Sequence, residues 1–414
     1  MTVITSTSPV VPSKPTPSGL LWLSESDQIA PWTHAPLVYI YRHNNNNTIP
    51  FVMETMRNSL SEALVHYYPL AGRLHWIEGG RLELDCNAMG AQLLEAYSEA
   101  KLDELGDFAP TDTVQDLIPK VDYTTPIENW PLFLVQLTRF RCGGLCIGVA
   151  ISHSVVDGQA VNSFINSWAK LARGENLGDD QIPFHDRTVL RSREPLMPPR
   201  FDHVEYTTKP PLLIGNMDSQ AEQQKETSVT LLKVTSDQVE SLRKIANQNM
   251  VMRLTRPYSK YEAIAGHMWR CAYLLSNPLS YASGKLREAI ERMTDEYIRS
   301  ALDFMASQKH IGWLRNNFHI RGYTNAPFLG NPNINIVSWI NLPFYDADFG
   351  WGKPVYVGPG LLNMDGKSVI MPSPVADGSL IIALRLQTQY MDSFKKFFYA
   401  DMDCKEPHAM SAKL

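Results

Sequence analysis

Cysteine is scarce in this chain: five residues in 414 (Cys86, Cys142, Cys146, Cys271 and Cys404), odd in number and dispersed. A disulfide framework is thereby excluded, and reduced thiols are expected. Cys142 and Cys146 are the one close pair, and no second Cys or His pair completes a zinc site, so no metal is expected. There is no basic excess either. Lys and Arg number 38 against 43 Asp and Glu, a net charge of −5 with no long basic run, which argues against a nucleic-acid partner. No apolar stretch approaches the roughly 18 residues that cross a bilayer. Residues 1–19, rich in Ser, Thr and Pro, lack the basic start and apolar middle of a secretory leader. The expected location is cytoplasmic; the competing address is Ala412-Lys413-Leu414, close to the peroxisomal S-K-L tripeptide. No Gly-x-Ser-x-Gly elbow and no Cys-protease signature occur, so a serine- or cysteine-bound acyl intermediate has no carrier.

What is present fits a globular enzyme. Hydrophobic residues make up 44% and charged residues 20%, which excludes a largely disordered chain, and the length suggests about two or three domains. The pattern predicts two α/β halves. In residues 1–180, Met53, Met56, Leu60 and Leu64 recur at helical spacing until Pro69 and Gly72 stop them, and strands are expected at 81–84, 132–138 and 145–151. Residues 181–225 lose periodicity and crowd prolines (Pro183, Pro195, Pro198, Pro199, Pro210, Pro211), the mark of a crossover linker. In residues 226–414, a strand at 228–234 precedes a helix from Ser236 carrying Val239, Leu242 and Ile245. Helices are expected at 260–271 and 286–305, a buried strand at 334–342, and paired strands at 367–371 and 380–386 across Asp377-Gly378. A short amphipathic helix carries Met391, Phe394 and Phe398.

The most informative run is His153-Ser154-Val155-Val156-Asp157-Gly158. Leu145, Ile147, Val149, Ala150 and Ile151 read as an interior strand, while Ala160, Phe164, Trp168 and Leu171 mark a helix face. His153 therefore falls at a strand-to-helix turn, and histidine is the side chain best suited to exchange a proton near neutral pH. Asp157 is a residue type that forms turns and caps helices. Far downstream stands Asp348-Phe349-Gly350-Trp351-Gly352, whose glycines suit a tight loop and whose aromatics suit packing.

These two runs, in this order, resemble the motifs of the plant BAHD acyltransferases. The resemblance implies an α/β fold of two similar chloramphenicol-acetyltransferase-like domains joined by a long crossover, with the active site at their interface. It implies acyl-CoA as co-substrate, no bound cofactor, and His153 as general base. A thioester is already activated, so the acceptor can attack it directly; a base of this kind typically contributes about 10²–10⁴ in rate. Trp339 is the candidate oxyanion donor through its indole N–H. By the same resemblance Asp157 pairs with an arginine and shapes the histidine loop, Asp348 carries a proton-acceptor label, and Gly158 and His34 border the acceptor pocket. Ser259 and Lys260 fall near the coenzyme A contact. His267, by its helical setting, is expected in the core.

Residues 68–88, 141–160 and 330–354 resemble most the spermidine hydroxycinnamoyl transferases, implying hydroxycinnamoyl-CoA and a polyamine as substrates and a monomeric enzyme. Relatives that acylate shikimate or quinate carry an acceptor-gripping arginine where this chain has Thr324, with Arg321 three places off. A cationic acceptor has no use for that arginine. An alcohol O-acyltransferase is the alternative. One departure stands out. After Trp269-Arg270-Cys271-Ala272 the family continues through an Asp-x-Arg-x-Arg strand and a Gly-Tyr-Phe-Gly-Asn loop, whereas here Tyr273 runs into Leu274-Leu275-Ser276-Asn277-Pro278. The resemblance thus implies a missing segment that would hold the arginine partner of Asp157, and a catalytically impaired family member is the remaining reading.

Overall fold

The computed structural model describes residues 2–42, 53–206, 221–222, 224–248, 256–274, 277–319, 330 and 333–403. In chain order the strands are β1 (Thr2–Val10), β2 (Leu20–Leu21), β3 (His34–Tyr41), β4 (Arg73–Ile77), β5 (Arg81–Asp85), β6 (Ala91–Ser98), β7 (Phe133–Phe140), β8 (Leu145–Ser152), β9 (Thr227–Val234), β10 (Asn335–Ser338), β11 (Tyr356–Pro359), β12 (Lys367–Pro372) and β13 (Leu380–Gln387). The helices are α1 (Glu25–Ile29), α2 (Met53–His66), α3 (Asp112–Gln115), α4 (Gly158–Ala172), α5 (Ser236–Asn247), α6 (Lys260–Trp269), α7 (Leu279–Arg292), α8 (Asp295–Ala306), α9 (Gly312–His319) and α10 (Thr388–Asp403).

Two compact units emerge, and neither is continuous in sequence. The first takes Met1–Pro199, Ala301–Ile320 and Leu342–Leu361; the second takes Arg200–Ser300, Arg321–Asn341 and Leu362–Leu414. A single division at 181–225 therefore needs correction: two later segments return to the first unit, and the Asp348 run goes with them. The physical reason is strand pairing. β11, just after that run, lies antiparallel against β3, with Val357 opposite Tyr39, and closes one edge of the first unit's six-stranded sheet β1-β6-β7-β8-β3-β11.

β7 and β8 are buried along nearly their whole length, as continuous apolar runs in the middle of a sheet should be. β1 is the opposite case: a Ser/Thr-rich edge strand with mostly exposed side chains, paired among the described residues only with β6 and invisible to a search for apolar periodicity. α4 buries Val161, Phe164, Ile165, Trp168 and Leu171 on one face, and Trp168 donates its indole N–H to Ser59 Oγ of α2 at 3.0 Å.

The second unit holds the sheet β10-β12-β13-β9, with β12 and β13 antiparallel. Leu232, Ile370, Ile382, Leu384, Phe394 and Phe398 centre its core. Three expectations change here. The strand expected at 334–342 shrinks to the four residues of β10, which are mostly exposed because, among the described residues, β10 has a single, parallel neighbour at the sheet edge. The helix expected at 286–305 is two helices; Thr294 begins the second, accepting the N–H of Tyr297 on its hydroxyl at 3.2 Å. α10 runs longer than the short helix expected there.

Candidate active site

β8 delivers Ser152, fully buried and paired opposite His34, and the next residue, His153, is exposed. The turn that carries His153 is pinned on several sides. Its main-chain N–H donates to Thr33 O (3.2 Å), Ser154 Oγ donates to Pro31 O (3.1 Å), and the N–H groups of Val155 and Val156 both reach Ser152 O. Arg187 donates from Nη2 to Val155 O at 2.6 Å while its Nε sits 3.1 Å from Asp27. Asp157 then caps α4, its Oδ1 accepting the N–H of Ala160 at 2.8 Å. At Gly158 a Cβ would come within 3.1 Å of Leu342 Cδ1, a close contact that the leucine side chain would have to yield to.

His34 has both ring nitrogens engaged. Nε2 lies 2.7 Å from Pro131 O and so donates; Nδ1 is left to accept from the Tyr123 hydroxyl at 3.0 Å, and that hydroxyl also accepts the His34 main-chain N–H at 2.9 Å. Burial of the ring pulls its pKa down to about 4, which keeps it neutral near pH 7. Trp32 stacks on Trp130 at 5.3 Å, and Tyr123 meets Trp130 edge-on at 4.9 Å. His34 is the brace of this aromatic cluster at the start of β3.

Asp348 closes its own loop. Oδ1 accepts the N–H groups of Gly350 (2.8 Å) and Gly352 (2.9 Å), both at positive φ (+106° and +102°), a conformation that favours glycine. Arg173 donates to the Asp348 carbonyl, and Tyr41 donates to Ala347 O at 2.7 Å. Phe349 packs edge-on against Trp168 at 4.9 Å and stacks on Trp351.

The other expected site residues lie in the second unit. Trp339 is half-buried after β10, its main-chain N–H on Ile370 O at 2.8 Å. Ser259 caps α6: its hydroxyl accepts the Glu262 N–H at 3.2 Å and its own N–H donates to Glu262 Oε2 at 2.6 Å. Lys260 extends toward Glu240, at 3.8 Å. Beneath them Glu262 is buried against Arg287; burial works against its charge, but hydrogen bonds from Arg287 and Ser259 hold its carboxyl down to about 2. His267 is fully buried, as expected, with Nε2 donating to Phe398 O at 2.8 Å. Thr324, Arg321 and Ala412-Lys413-Leu414 lie outside the described residues.

A cavity of about 500 Å³ opens in the first unit beside the 155–157 turn, walled by α4 and by residues 180–187. Its Asn162, Asn166 and Arg187 were not singled out by sequence reasoning, although two asparagines four apart on a helix face are a usable signal. Among the described residues, no cluster of His, Cys, Asp and Glu could hold a metal ion, and no helix is long and apolar enough to cross a membrane.

The sequence model of the Transferase family matches residues 1–274 and 272–401. The hydroxycinnamoyl-CoA:piscidic acid hydroxycinnamoyltransferase of Actaea racemosa is 43% identical, over 97% of this chain and 100% of its own length. The hydroxycinnamoyl-CoA:5-hydroxyanthranilate N-hydroxycinnamoyltransferase HHT1 of Avena sativa is 36% identical, over 96% and 99%. The crystal structure of vinorine synthase shares the fold, with a TM-score of 0.68 at 20% identity, over 95% of this chain and 96% of that one. The two matched segments meet at residues 272–274, and the Actaea alignment spans 452 positions against a chain of 414, so that relative carries residues with no counterpart here.

Proposed function

This chain belongs to the Transferase family, the acyltransferases known in plants as BAHD, and we propose that it moves a hydroxycinnamoyl group from its coenzyme A thioester to an acceptor activated by His153. The observation that carries this reading is the setting of His153: an exposed imidazole on a turn anchored to the end of a buried strand. The reaction is direct. As the acceptor nitrogen or oxygen attacks the thioester carbonyl, His153 takes its proton; the tetrahedral intermediate collapses, the C–S bond breaks, and His153 returns the proton to the thiolate. The Trp339 indole is assigned to the oxyanion, Ser259 and Lys260 to coenzyme A, and Gly158 and His34 to the acceptor side, assignments that rest on sequence position. Asp157 and Asp348 hold their loops.

For the acceptor we take a polyamine nitrogen such as spermidine, on the strength of the motif runs and of Thr324 in place of an arginine. A second reading, a hydroxyl of an organic acid, has its own support in the Actaea relative, which is named for piscidic acid. Caffeoyl-CoA offered with spermidine and, separately, with piscidic acid distinguishes them through free thiol and product mass. An amide of spermidine is the expected result. An ester of the acid alone replaces the first reading with the second, and thiol release independent of either acceptor overturns both.

A further inference from the structure

The crossover after α4 is exposed along most of its length, yet it is fastened at residues 185–188. His185 Nε2 donates to His66 O at the end of α2 (2.8 Å), and Tyr68 lies edge-on to its ring at 4.8 Å. Asp186 Oδ1 accepts the Thr188 N–H at 2.8 Å and caps a short 3-10 turn, Arg187–Leu190. Arg187 thus leaves a pinned stretch of backbone, with only 19% of its side chain exposed. Two parts of its guanidinium fork are in use. Nη2 donates to Val155 O at 2.6 Å, and Nε sits 3.1 Å from Asp27 Oδ2. Asp27 is itself fixed by the box that caps α1, the same Oδ2 accepting the main-chain N–H and the hydroxyl of Ser24, both at 2.8 Å.

The carbonyl that Arg187 holds belongs to the loop that presents His153. Val155 is buried, and a buried carbonyl needs a donor. The Val155 N–H closes back on Ser152 O at 3.2 Å, while the His153 N–H and the Ser154 hydroxyl bond Thr33 O and Pro31 O. Residues 27–33 therefore grip the turn at three points: directly at 153 and 154, and through Arg187 at 155. Asp157 uses its carboxylate to cap α4, so the cation on this turn acts through the backbone instead. We propose that Arg187 is a positioning residue for acyl transfer: oriented by Asp27, it fixes the Val155 carbonyl and with it the turn that aims the His153 imidazole. The proposal rests on the reading of His153 as the base. A misplacement of about 1 Å at a reacting group can cost about 10²-fold in rate, so a turn held in this way bears on kcat. Lysine cannot stand in, because one ammonium lacks the planar fork that serves two partners in fixed directions.

The test is kcat and KM for acceptor-dependent release of coenzyme A from caffeoyl-CoA by the full chain, in the wild type, Arg187→Ala, Arg187→Lys and His153→Ala. Arg187→Ala and Arg187→Lys are each expected to lose at least about tenfold in kcat, with KM for the thioester within about twofold. Arg187 also borders the cavity of about 500 Å³ beside the turn, which gives free guanidinium a way to its place. Guanidinium chloride at a sub-denaturing concentration should raise the kcat of Arg187→Ala, where equal sodium chloride does not, and leave His153→Ala unchanged. A residue that only stabilised the fold would show no such selective rescue. Retained kcat in either folded Arg187 variant, beside a collapse in His153→Ala, overturns the proposal and leaves the base in place; so does a loss that guanidinium fails to rescue or that is carried by KM. Retained kcat in His153→Ala, or no turnover in the wild type, overturns the base and the proposal together. Should Arg187→Ala lose its cooperative melt, Arg187→Lys carries the expected loss, and unfolding of both makes Arg187 a structural residue and overturns the proposal.

Discussion

Burial separates the histidines of this chain by the work they can do. His34 donates to Pro131 O and accepts from Tyr123, and its pKa falls to about 4 because the ring is taken out of water. His267 is lowered for the same first reason and donates to Phe398 O. Folding therefore favours the neutral form of both. Their contribution to stability is complete above the ordinary value of 6.5 and is lost as pH falls from 6.5 through about 4, where the unfolded chain binds protons that the folded chain refuses. The His34 ring resonances should keep their neutral shifts at pH 5.5, and the denaturant midpoint should fall across this window less steeply in His34→Gln than in the wild type. A ring titrating near 6.5 would contradict the burial described. Asp157 is a residue-scale case of another kind. It is exposed and acts as a helix cap, a job asparagine performs as well, so Asp157→Asn should change stability by less than about 1 kcal/mol. A loss above about 3 kcal/mol in urea melts would reveal a buried ion pair instead.

At the scale of elements, the Asp348–Gly352 loop is held by one carboxylate oxygen and two left-handed glycines, with Phe349 fastening it to Trp168. Removing that oxygen should cost about 2 kcal/mol, since hydrogen bonds to charged groups carry such weight. Asp348→Ala should melt at lower temperature yet keep turnover within about tenfold of wild type where it is folded, as expected of a group that shapes a loop. Collapse of turnover in fully folded Asp348→Ala would make this aspartate a proton acceptor. The buried Glu262–Arg287 pair under the Ser259 cap gives the second unit its own test: Glu262→Ala leaves Arg287 uncompensated and should cost about 3–5 kcal/mol in a denaturant titration. Elements of this kind were legible in the sequence to the extent that local rules governed them. The apolar runs of β7 and β8, the starts of α5 and α6 near Ser236 and Lys260, and the Asp377-Gly378 turn read correctly because each is decided within a few residues. β1 escaped because its pairing with β6 is made by backbone, not by an apolar face, and β10 was drawn too long because apolar spacing says nothing about an edge. In the candidate site the position of His153 was readable from the strand-to-helix change. The engagement of His34 was not, since its partners are 89 and 97 residues away.

For the molecule as a whole, the two matched segments meet at residues 272–274, where α6 passes directly into a π-helical turn, Arg270–Leu274. The proposal that a segment is missing after Ala272 bears on the second unit's sheet, whose edges among the described residues are β10 and β9. Ile334, Ile336 and Ile340 pack against its core but are themselves only partly buried, and open edges invite association. Grafting the corresponding segment of a relative between Ala272 and Leu274 should raise soluble yield and turnover together; if neither moves, the chain needs no such segment. The central claim is that this chain transfers hydroxycinnamoyl groups with His153 as the base, and its most direct test is single: kcat for acceptor-dependent release of coenzyme A from caffeoyl-CoA, measured for the wild type and for His153→Ala with both shown to be folded by circular dichroism. The account predicts that His153→Ala loses at least about 10²-fold in kcat with little change in KM for the thioester. Equal kcat in the two proteins would contradict it.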